Sequence, residues 1–328
     1  MYQMMSLPLY SGTLGEYNSW RDLGQELERL GCDGIEGVWG GEDLPKDLPA
    51  ELILGYHLIF YPDWLDFYRD DRAALKQKFA SLEAAASFYG GLGPDTLLEQ
   101  YRADLRRAVN LGARYVVFHV SDVSLEEGYT YRWLHTNQEV IDAAVEVVSL
   151  ILGEERWPFE FLVENQWWPG FTFTEPEETA RLLEGIRFAG KGILLDTGHL
   201  MNACTELKTE AEGADYIRSM LNRHGSLAKW VRGVHLHQSL SGAYVKAHTG
   251  SLPAGLPEDY MERFGVSYQH ILQIDQHRPW TDPAILPVLE QIEPRYLTHE
   301  LSSRGRMARA EAVSIQTRLL RQGGRMRV

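Results

Sequence analysis

Short apolar runs alternate along the chain with longer stretches whose apolar positions recur at helical spacing. The runs are rich in β-branched and aromatic residues and almost continuous, a pattern typical of parallel strands that are buried on both faces. Eight strands are predicted, at Met4–Tyr10, Gly34–Val38, Leu52–Phe60, Tyr115–Val120, Phe159–Glu164, Gly192–Asp196, Gly233–His237 and Tyr296–Glu300. Seven helices are predicted, at Tyr17–Leu30, Asp95–Leu111, Asn137–Leu152, Pro176–Ile186, Ala211–Arg223, Pro283–Gln291 and Met307–Arg321.

The order of these segments predicts the fold class. Strands that alternate with helices indicate a parallel α/β protein, and eight such units predict a closed (β/α)₈ TIM barrel that forms a single domain over residues 1–328. Prolines in the first turn support the starts of three helices, at Pro94, Pro176 and Pro283. The alternative is an open doubly wound sheet. That fold requires a glycine-rich phosphate loop after the first strand, and the sequence SGTLG at 11–15 is a weak match.

Two segments are predicted as insertions in the loops that follow strands. The first, at about 61–92, is rich in aspartate, arginine and aromatic residues, and the second, at about 239–280, contains glycine, proline and tyrosine throughout. Barrel enzymes carry their functional loops at the carboxyl ends of the strands, so these insertions are expected to narrow the entrance to a site. The last residues, Gln322–Val328, are predicted to form a loose basic tail.

Composition narrows the class of partner. Lys and Arg number 32 and Asp and Glu number 46, and the net charge of −14 disfavours non-specific binding to nucleic-acid phosphates or anionic membranes. No apolar run is long enough to predict a transmembrane helix, and residues 1–11 lack the pattern of a secretory signal. Two cysteines, Cys32 and Cys204, cannot form a framework of disulfides. We therefore expect a cytoplasmic protein.

Histidine and acidic residues end six successive predicted strands, the third to the eighth. In a parallel barrel these ends face one cavity. Imidazole and carboxylate groups are ligands of Zn²⁺, Mn²⁺ and Fe²⁺, and so many of them converging without a metal would be poorly solvated and partly repulsive. The candidates at or just after the strand ends are His57, His119, Glu164, Asp196, His199, His235, His237 and Glu300.

Each of these residues also has a purely structural interpretation. His57 and His119 would be hydrogen-bonded histidines of the core or rim, Asp196 would be a helix cap, and Glu300 would be an ion-pair partner. The same coincidence at six strand ends is harder to explain by structure alone. The joint pattern therefore favours a functional cluster.

Two pairs of residues leave their roles open. His235 and His237 are two residues apart, so their side chains share a face if both lie in a strand. In that case one would be a metal ligand and the other would contact the substrate. Alternatively, His237 already lies in the loop. Asp275 and His277 form an Asp-x-His pair in the second insertion, which either chelates a metal or belongs to the polar surface.

Aromatic residues are expected beside the cluster. Trp167 and Trp168 follow Glu164 and are predicted to wall the pocket and contact the substrate, with buried packing as the alternative. The sequence has no G-x-S-x-G motif, no Walker loop and no CxxC pair, so the chemistry is expected to reside in the histidine and carboxylate cluster.

The segments at the strand ends resemble those of the xylose isomerase-like TIM barrels, the superfamily that includes endonuclease IV and many sugar-phosphate isomerases and epimerases. The resemblance extends in order over nearly the whole chain and is specific at the strand ends. The segments that carry it are LVEN at 162–165, LDTGH at 195–199, RGVHL at 232–236 and LTHE at 297–300.

The resemblance implies a ligand set. Throughout the superfamily a Glu, an Asp, a His and a Glu bind the central metal, and these match Glu164, Asp196, His235 and Glu300. The endonuclease IV branch has further ligands for a cluster of three zinc ions, and these match His57, His119, His199, Asp275 and His277. All nine ligand positions of that branch are present. The implied cofactor is a divalent metal, with Zn²⁺ favoured and up to three ions, and with Mn²⁺ or Mg²⁺ as alternatives.

Three functions remain open. The first is endonuclease IV-like multimetal hydrolysis of a phosphoester in a sugar or sugar-phosphate substrate. Damaged DNA is disfavoured as that substrate by the net charge, and the DNA-handling loops of the endonuclease IV branch are not recognisable in this sequence. The second is a one-metal sugar (phosphate) isomerase or epimerase that uses Glu164 and Glu300 as acid and base. The third is a barrel that binds metal or sugar without turnover. The ligand count places hydrolysis first, whereas the acidic charge and long insertions favour a small sugar.

Overall fold

The computed structural model describes residues 1–322, so the predicted basic tail lies outside the described residues except for Gln322, which ends the last helix. Eight parallel strands pair in chain order and the eighth pairs with the first, which confirms the closed barrel. The strands are β1 (Tyr2–Leu9), β2 (Gly34–Trp39), β3 (Ile53–His57), β4 (Tyr115–His119), β5 (Glu160–Glu164), β6 (Lys191–Asp196), β7 (Val231–His235) and β8 (Tyr296–His299).

Fifteen α-helices lie within residues 1–322. They are α1 (Ser11–Leu14), α2 (Trp20–Leu30), α3 (Leu65–Tyr68), α4 (Arg72–Phe79), α5 (Leu82–Tyr89), α6 (Pro94–Asn110), α7 (Leu125–Thr130), α8 (Asn137–Leu152), α9 (Pro176–Gly185), α10 (Thr197–Asn202), α11 (Glu210–His224), α12 (Gly242–His248), α13 (Tyr260–Ile274), α14 (Ile285–Ile292) and α15 (Arg306–Gln322). Short 3₁₀ helices, Ala50–Leu52 and Gly225–Trp230, precede β3 and β7. In this part of the chain no helix is long and apolar enough to cross a bilayer.

Side chains at the N-termini fix where several helices begin. Before α7, α8 and α11 the capping residue accepts a hydrogen bond from the third helical residue, whose own carboxylate accepts one in return. These pairs are Ser124 with Glu127, Thr136 with Glu139, and Thr209 with Glu212. Helices α6 and α9 begin at the prolines that the sequence marks as starts, Pro94 and Pro176, whereas α14 begins at Ile285, two residues after Pro283.

The interior of the barrel is a packed core rather than a pore. Its members include Met4, Leu54, Tyr115, Val117, Leu162, Leu194 and Tyr296. The hydroxyl of Tyr115 donates a hydrogen bond to Glu36 (2.6 Å), a carboxylate of β2 that is completely buried. Because this core fills the space between the strands, it holds their carboxyl ends in fixed positions.

Five strands end earlier than predicted, β1, β4 and β8 by one residue and β3 and β7 by two or more. Strand β3 ends at His57 rather than at residue 60, because the amide of Ile59 donates a hydrogen bond to the carboxylate of Asp104 (2.6 Å) and not to a neighbouring strand. Strand β7 ends at His235, so that His237 lies in the following loop.

Both predicted insertions follow strand ends, and both contain helices that the sequence patterns did not predict. The segment after β3 holds α3, α4 and α5, and the segment after β7 holds α12 and α13. The insertions touch each other: Tyr260 of α13 stacks on Phe79 of α4 with ring centroids 4.0 Å apart, and Phe264 lies 5.6 Å from Phe88 of α5. Phe88 and Phe264 also line the cavity that the strand ends face. We call α4, α5 and α13 the roof.

Gly55, in the middle of β3, leaves room for a neighbouring aromatic ring. A Cβ at this position would lie 2.3 Å from Cζ of the buried Tyr115. Gly55→Ala is therefore expected to lower the free energy of unfolding by about 1–3 kcal/mol through overpacking, as measured by urea denaturation. The control is Gly265→Ala in α13, where a Cβ meets no described atom within 4 Å; it should leave stability unchanged or raise it by up to about 1 kcal/mol. Equal denaturation midpoints for the two variants would contradict this account.

Candidate metal centre

The nine residues predicted as metal ligands meet at the carboxyl end of the barrel, where they form three adjoining groups. Five of these residues are the last residues of the strands β3 to β7, and a sixth follows β8. A seventh lies in α10, and the remaining two lie in the loop after α13. In that order they are His57, His119, Glu164, Asp196, His235, Glu300, His199, Asp275 and His277. The ligand atoms of each group lie within 4.8 Å of one another. The structure thus brings together the whole predicted set.

The first group consists of His57, His119 and Glu164. The Nε2 atoms of the two histidines are 3.0 Å apart, and they lie 3.4 Å and 3.2 Å from Oε2 of Glu164. Three donors that bind one ion at about 2.0–2.1 Å in tetrahedral geometry lie roughly 3.3–3.5 Å apart. The spacing of this group is therefore close to that of a zinc site.

The second group shares Glu164 with the first and adds Asp196, His235 and Glu300. The Nδ1 atom of His235 lies 3.6 Å from Oε2 of Glu164, 3.7 Å from Oδ2 of Asp196 and 2.8 Å from Oε2 of Glu300. The same oxygen of Glu164 thus faces nitrogen donors of both groups. A carboxylate in this position can connect two neighbouring ions.

The third group is built partly on the loop after α13. Oδ2 of Asp275 lies 3.3 Å from Nε2 of His199 and 2.6 Å from Nε2 of His277. His277 has a φ of +47°, a left-handed conformation that is uncommon for a residue with a side chain. The neighbouring backbone holds it there, because Gln238 and Arg278 pair as an antiparallel bridge between the two loops. Such strain is typical of functional sites.

In four of the histidines one ring nitrogen is fixed by an oxygen acceptor. Nδ1 of His57 donates to the carbonyl of Leu58 (2.8 Å), Nδ1 of His199 to the carbonyl of Asn165 (3.0 Å), Nε2 of His235 to Glu36 (2.9 Å), and Nδ1 of His277 to the carbonyl of Glu300 (3.0 Å). The proton on that nitrogen leaves the other one free to coordinate. This is the arrangement that orients metal-binding histidines in proteins.

Several buried atoms of the three groups lack a hydrogen-bond partner within residues 1–322. Three of them, Oε2 of Glu164, Nδ1 of His235 and Oε2 of Glu300, lie within 3.2 Å of another atom of the centre but not in the alignment of a hydrogen bond. The fourth is Oδ1 of Asp275. Buried polar atoms in proteins nearly always have a partner. Divalent cations bound by nitrogen and oxygen donors supply partners for these atoms, so the residues present fit the implied metal ions.

Electrostatic interactions within the centre agree with this fit. Burial raises the pKa of Glu164, but His119 and His235 outweigh burial and hold that pKa well below its usual range. Burial opposes the charged form of His277 as well, yet Asp275 and Glu300 raise its pKa to about 10. Without a metal, the carboxylate of Glu164 is therefore deprotonated and the ring of His277 is protonated. Metal binding displaces such protons, so metal affinity is coupled to pH.

His237 does not line the cavity, but one of its ring nitrogens lies within 4.8 Å of donor atoms of His199, Asp275 and His277, so by distance it joins the third group. Its Nε2 donates a hydrogen bond to Oδ2 of Asp196 (2.8 Å), and its side chain is completely buried. The ring stacks on that of His277, with centroids 3.9 Å apart and planes inclined by 7°. A ring nitrogen binds a metal in the plane of its ring, so two stacked rings cannot both point at one ion. The hydrogen bond and the stacking favour an orienting role for His237, and its contact with substrate stays a prediction.

The space for His237 depends on Gly198. A Cβ at residue 198 would lie 2.0 Å from Cε1 of the His237 ring. The glycine of the LDTGH segment thus allows the close approach that lets His237 reach Asp196.

Trp167 and Trp168 both line the cavity, as the sequence analysis expects of pocket walls. Their ring centroids are 4.1 Å apart, and Trp167 lies 5.1 Å from the ring of His199 in the third group. Gln166, which was not predicted from the sequence, also lines the cavity. Its Nε2 atom lies 3.0 Å from Nδ1 of His199.

Glu36 is the most important residue that the sequence analysis missed. It lies within β2, is completely buried, and accepts hydrogen bonds from His235 and from the hydroxyls of Tyr115 and Thr298. A signal was present, because Glu36 is the one charged residue in the otherwise apolar run GIEGV at 34–38. A carboxylate inside a buried strand requires a partner.

Glu36→Gln is expected to weaken metal binding at the second group by about 10- to 100-fold, because the amide no longer raises the basicity of His235. Competition with a chromophoric chelator measures the change in affinity. The control is Glu26→Gln, the same change at another buried carboxylate. Glu26 is paired with Arg306, and neither residue lines the cavity. Equal affinities for the two variants would contradict the role of Glu36.

The three groups open into a cavity of about 770 Å³. His57, His119, His199, Asp275 and Glu300 form part of its lining. Pockets of 300–1,000 Å³ are the size range for a single small ligand. The cavity is therefore large enough for one small molecule beside the donor groups.

Comparison with solved structures shows the same fold at low sequence identity. Endonuclease IV from Thermus thermophilus is 16% identical, with a TM-score of 0.52 and coverage of 98% of this chain and 100% of the other. A D-tagatose 3-epimerase-like protein is 15% identical, with a TM-score of 0.53 and coverage of 99% and 98%. IolI, whose structure has a bound zinc atom, is 16% identical, with a TM-score of 0.51 and coverage of 98% of each chain. No curated protein matches the sequence.

Comparison with protein families gives the same result for most of the chain. Residues 25–293 match the family described as xylose isomerase-like TIM barrel. The matched range contains eight of the nine predicted metal ligands, all except Glu300. The chain belongs to the xylose isomerase-like TIM barrel family.

Proposed function

We propose that this protein is a metal-dependent hydrolase that cleaves a phosphoester in a small sugar-phosphate-containing molecule. Its centre holds up to three divalent ions, for which Zn²⁺ is favoured. One observation carries the proposal: three adjoining groups of donors converge, and Glu164 belongs to two of them. A one-metal isomerase needs only the second group, so the first and third groups favour a multimetal centre.

Adjacent divalent ions supply a nucleophilic hydroxide near neutral pH and stabilise the attacking and leaving oxygens of a phosphoryl group. Glu164 lies between the first two groups and holds them at a fixed separation. Glu300 is the carboxylate of the second group that lines the cavity, and its side chain is 20% exposed. It is therefore in position to hold or accept a proton at the substrate.

One structural neighbour is described as a protein with a bound zinc atom, which supports a divalent metal in this chain. Another is described as an endonuclease IV, a name that supports hydrolysis of a phosphoester. We expect duplex DNA to be a poor substrate, because Phe88 and Phe264 of the roof line the cavity and the net charge is −14. A small phosphoester is compatible with both features.

A second candidate function is a one-metal sugar isomerase or epimerase. It is favoured by the second group, in which Glu164 and Glu300 both lie near Nδ1 of His235, as an acid and a base acting on one bound sugar require. Neighbours described as a D-tagatose 3-epimerase-like protein and an L-ribulose 3-epimerase are consistent with it. On this hypothesis His57 and His119 contact substrate and bind no ion.

An assay on both substrate classes separates the candidates. The zinc-loaded protein is expected to hydrolyse bis(p-nitrophenyl) phosphate, to lose that activity on treatment with a chelator, and to regain it when Zn²⁺ is restored. The matched assay offers ketoses and ketose phosphates and follows their interconversion. Turnover of a ketose without phosphodiester cleavage would contradict hydrolysis and favour the second candidate. Metal binding without any turnover would leave a binding protein.

A further inference from the structure

The cavity has two chemically different halves. One half consists of the three donor groups. The other half is lined mostly by aromatic and aliphatic side chains, among them Phe60, Trp168, Phe264 and Tyr268. Aromatic side chains offer planar faces and bury large areas at little cost in side-chain entropy. This half is therefore suited to an apolar ring and not to a polyol alone.

The aromatic half adjoins the donor groups directly. The ring of Phe60 lies 4.4 Å from that of His119, and Phe60 is 49% exposed. Trp168 packs on Trp167, whose ring lies 5.1 Å from that of His199. A molecule bound at the donor groups therefore has aromatic faces within reach.

The lining offers no second place for a negative charge. Among the described lining residues Arg309 is the only arginine or lysine, and it is paired with Glu16 and hydrogen-bonded to Tyr17. An anionic group away from the metal ions would therefore lack a cationic partner and would lose hydration without compensation. The part of the substrate that enters the aromatic half must be uncharged.

We propose that the aromatic half of the cavity is a subsite for an uncharged planar ring on a monomeric phosphodiester. The phosphodiester carries a single negative charge, which the donor groups and their ions bind, and the ring stacks on Trp168 and Phe60. This inference rests on the proposed function, because it takes the phosphodiester as the reacting group. It also gives the roof a role, since Phe264 and Tyr268 of α13 enclose the ring.

Binding of two phosphodiesters of equal charge tests the subsite without relying on turnover. Isothermal titration of the zinc-loaded protein is carried out with diphenyl phosphate and with dimethyl phosphate, which differ in their rings. We expect the diphenyl compound to bind at least about 10-fold more tightly, since stacking on one aromatic side chain is worth roughly that factor or more. Trp168→Ala and Phe60→Ala should each remove most of the difference. Trp133→Ala, at a 40% exposed tryptophan outside the cavity lining, is the control and should retain it.

The outcomes distinguish failure of the subsite from failure of the proposed function. Equal affinity for the two compounds in the unchanged protein, or an equal loss in Trp133→Ala, would overturn the subsite even where phosphodiesters are hydrolysed. A ring preference that depends on Trp168 and Phe60 supports the subsite even where bis(p-nitrophenyl) phosphate is not cleaved. In that second case the proposed function fails while the ring-binding half stands.

Discussion

Glu164→Gln is expected to abolish activity and to release metal from two of the three donor groups. Oε2 of Glu164 lies 3.2 to 3.6 Å from nitrogen atoms of His57, His119 and His235, so its charge serves the first and second groups together. An amide has almost the same shape but cannot bind as an anion. We expect kcat/KM for phosphodiester hydrolysis to fall by at least about 10³-fold. Elemental analysis of the variant should find at least one ion fewer per chain.

The control for this variant is Glu155→Gln, the same change at an exposed position between α8 and β5. Circular dichroism and a thermal melt of both proteins show whether the barrel is intact. Full metal content and unchanged kcat/KM in Glu164→Gln would rule out the shared carboxylate as the connection between the two groups.

His119→Ala is expected to separate the hydrolase from the one-metal isomerase. The substitution removes one of three donors from the first group and leaves all four residues of the second group in place. We expect the loss of one ion and a decrease in phosphodiester hydrolysis of about 10²-fold or more. The ion at the second group should remain. Metal analysis together with steady-state kinetics measures both effects.

His248→Ala provides the matched control, because His248 is exposed and lies outside the three donor groups. If His119→Ala keeps full activity and the same number of ions as this control, the first group is not a metal site. The four-residue isomerase centre would then be the better account.

The sequence predicted the barrel and the donor set because both follow from periodic patterns. Parallel strands deliver their last residues to one face, so a histidine or carboxylate at the end of each apolar run lies near its neighbours before any contact is known. His57 and Glu164 illustrate this. Each looks ordinary alone, and they meet within 3.4 Å because β3, β4 and β5 are consecutive strands of the barrel. The resemblance at the strand ends then predicted Asp275 and His277, which lie on a loop that strand periodicity does not position.

Other parts of the site depend on tertiary contacts that no local pattern predicts. Glu36 sits inside a strand, and only the closed barrel places it beside His235, which is 199 residues away in sequence. The role of His237 depends on the loop after β7 and on the space that Gly198 leaves. The helices of the roof were missed for a similar reason. Their apolar faces pack against each other, as Phe79 does against Tyr260, so the segments resemble irregular loops when considered alone.

The metal content of the untagged protein, purified without chelator and measured by elemental analysis, tests the central claim most directly. The three donor groups predict two or three zinc ions per chain, and removal of the ions should be reversible. A single ion per chain would contradict the multimetal centre and leave only the second group as a metal site. A protein that contains no metal and takes up none on titration with Zn²⁺, Mn²⁺ or Mg²⁺ would contradict the account altogether.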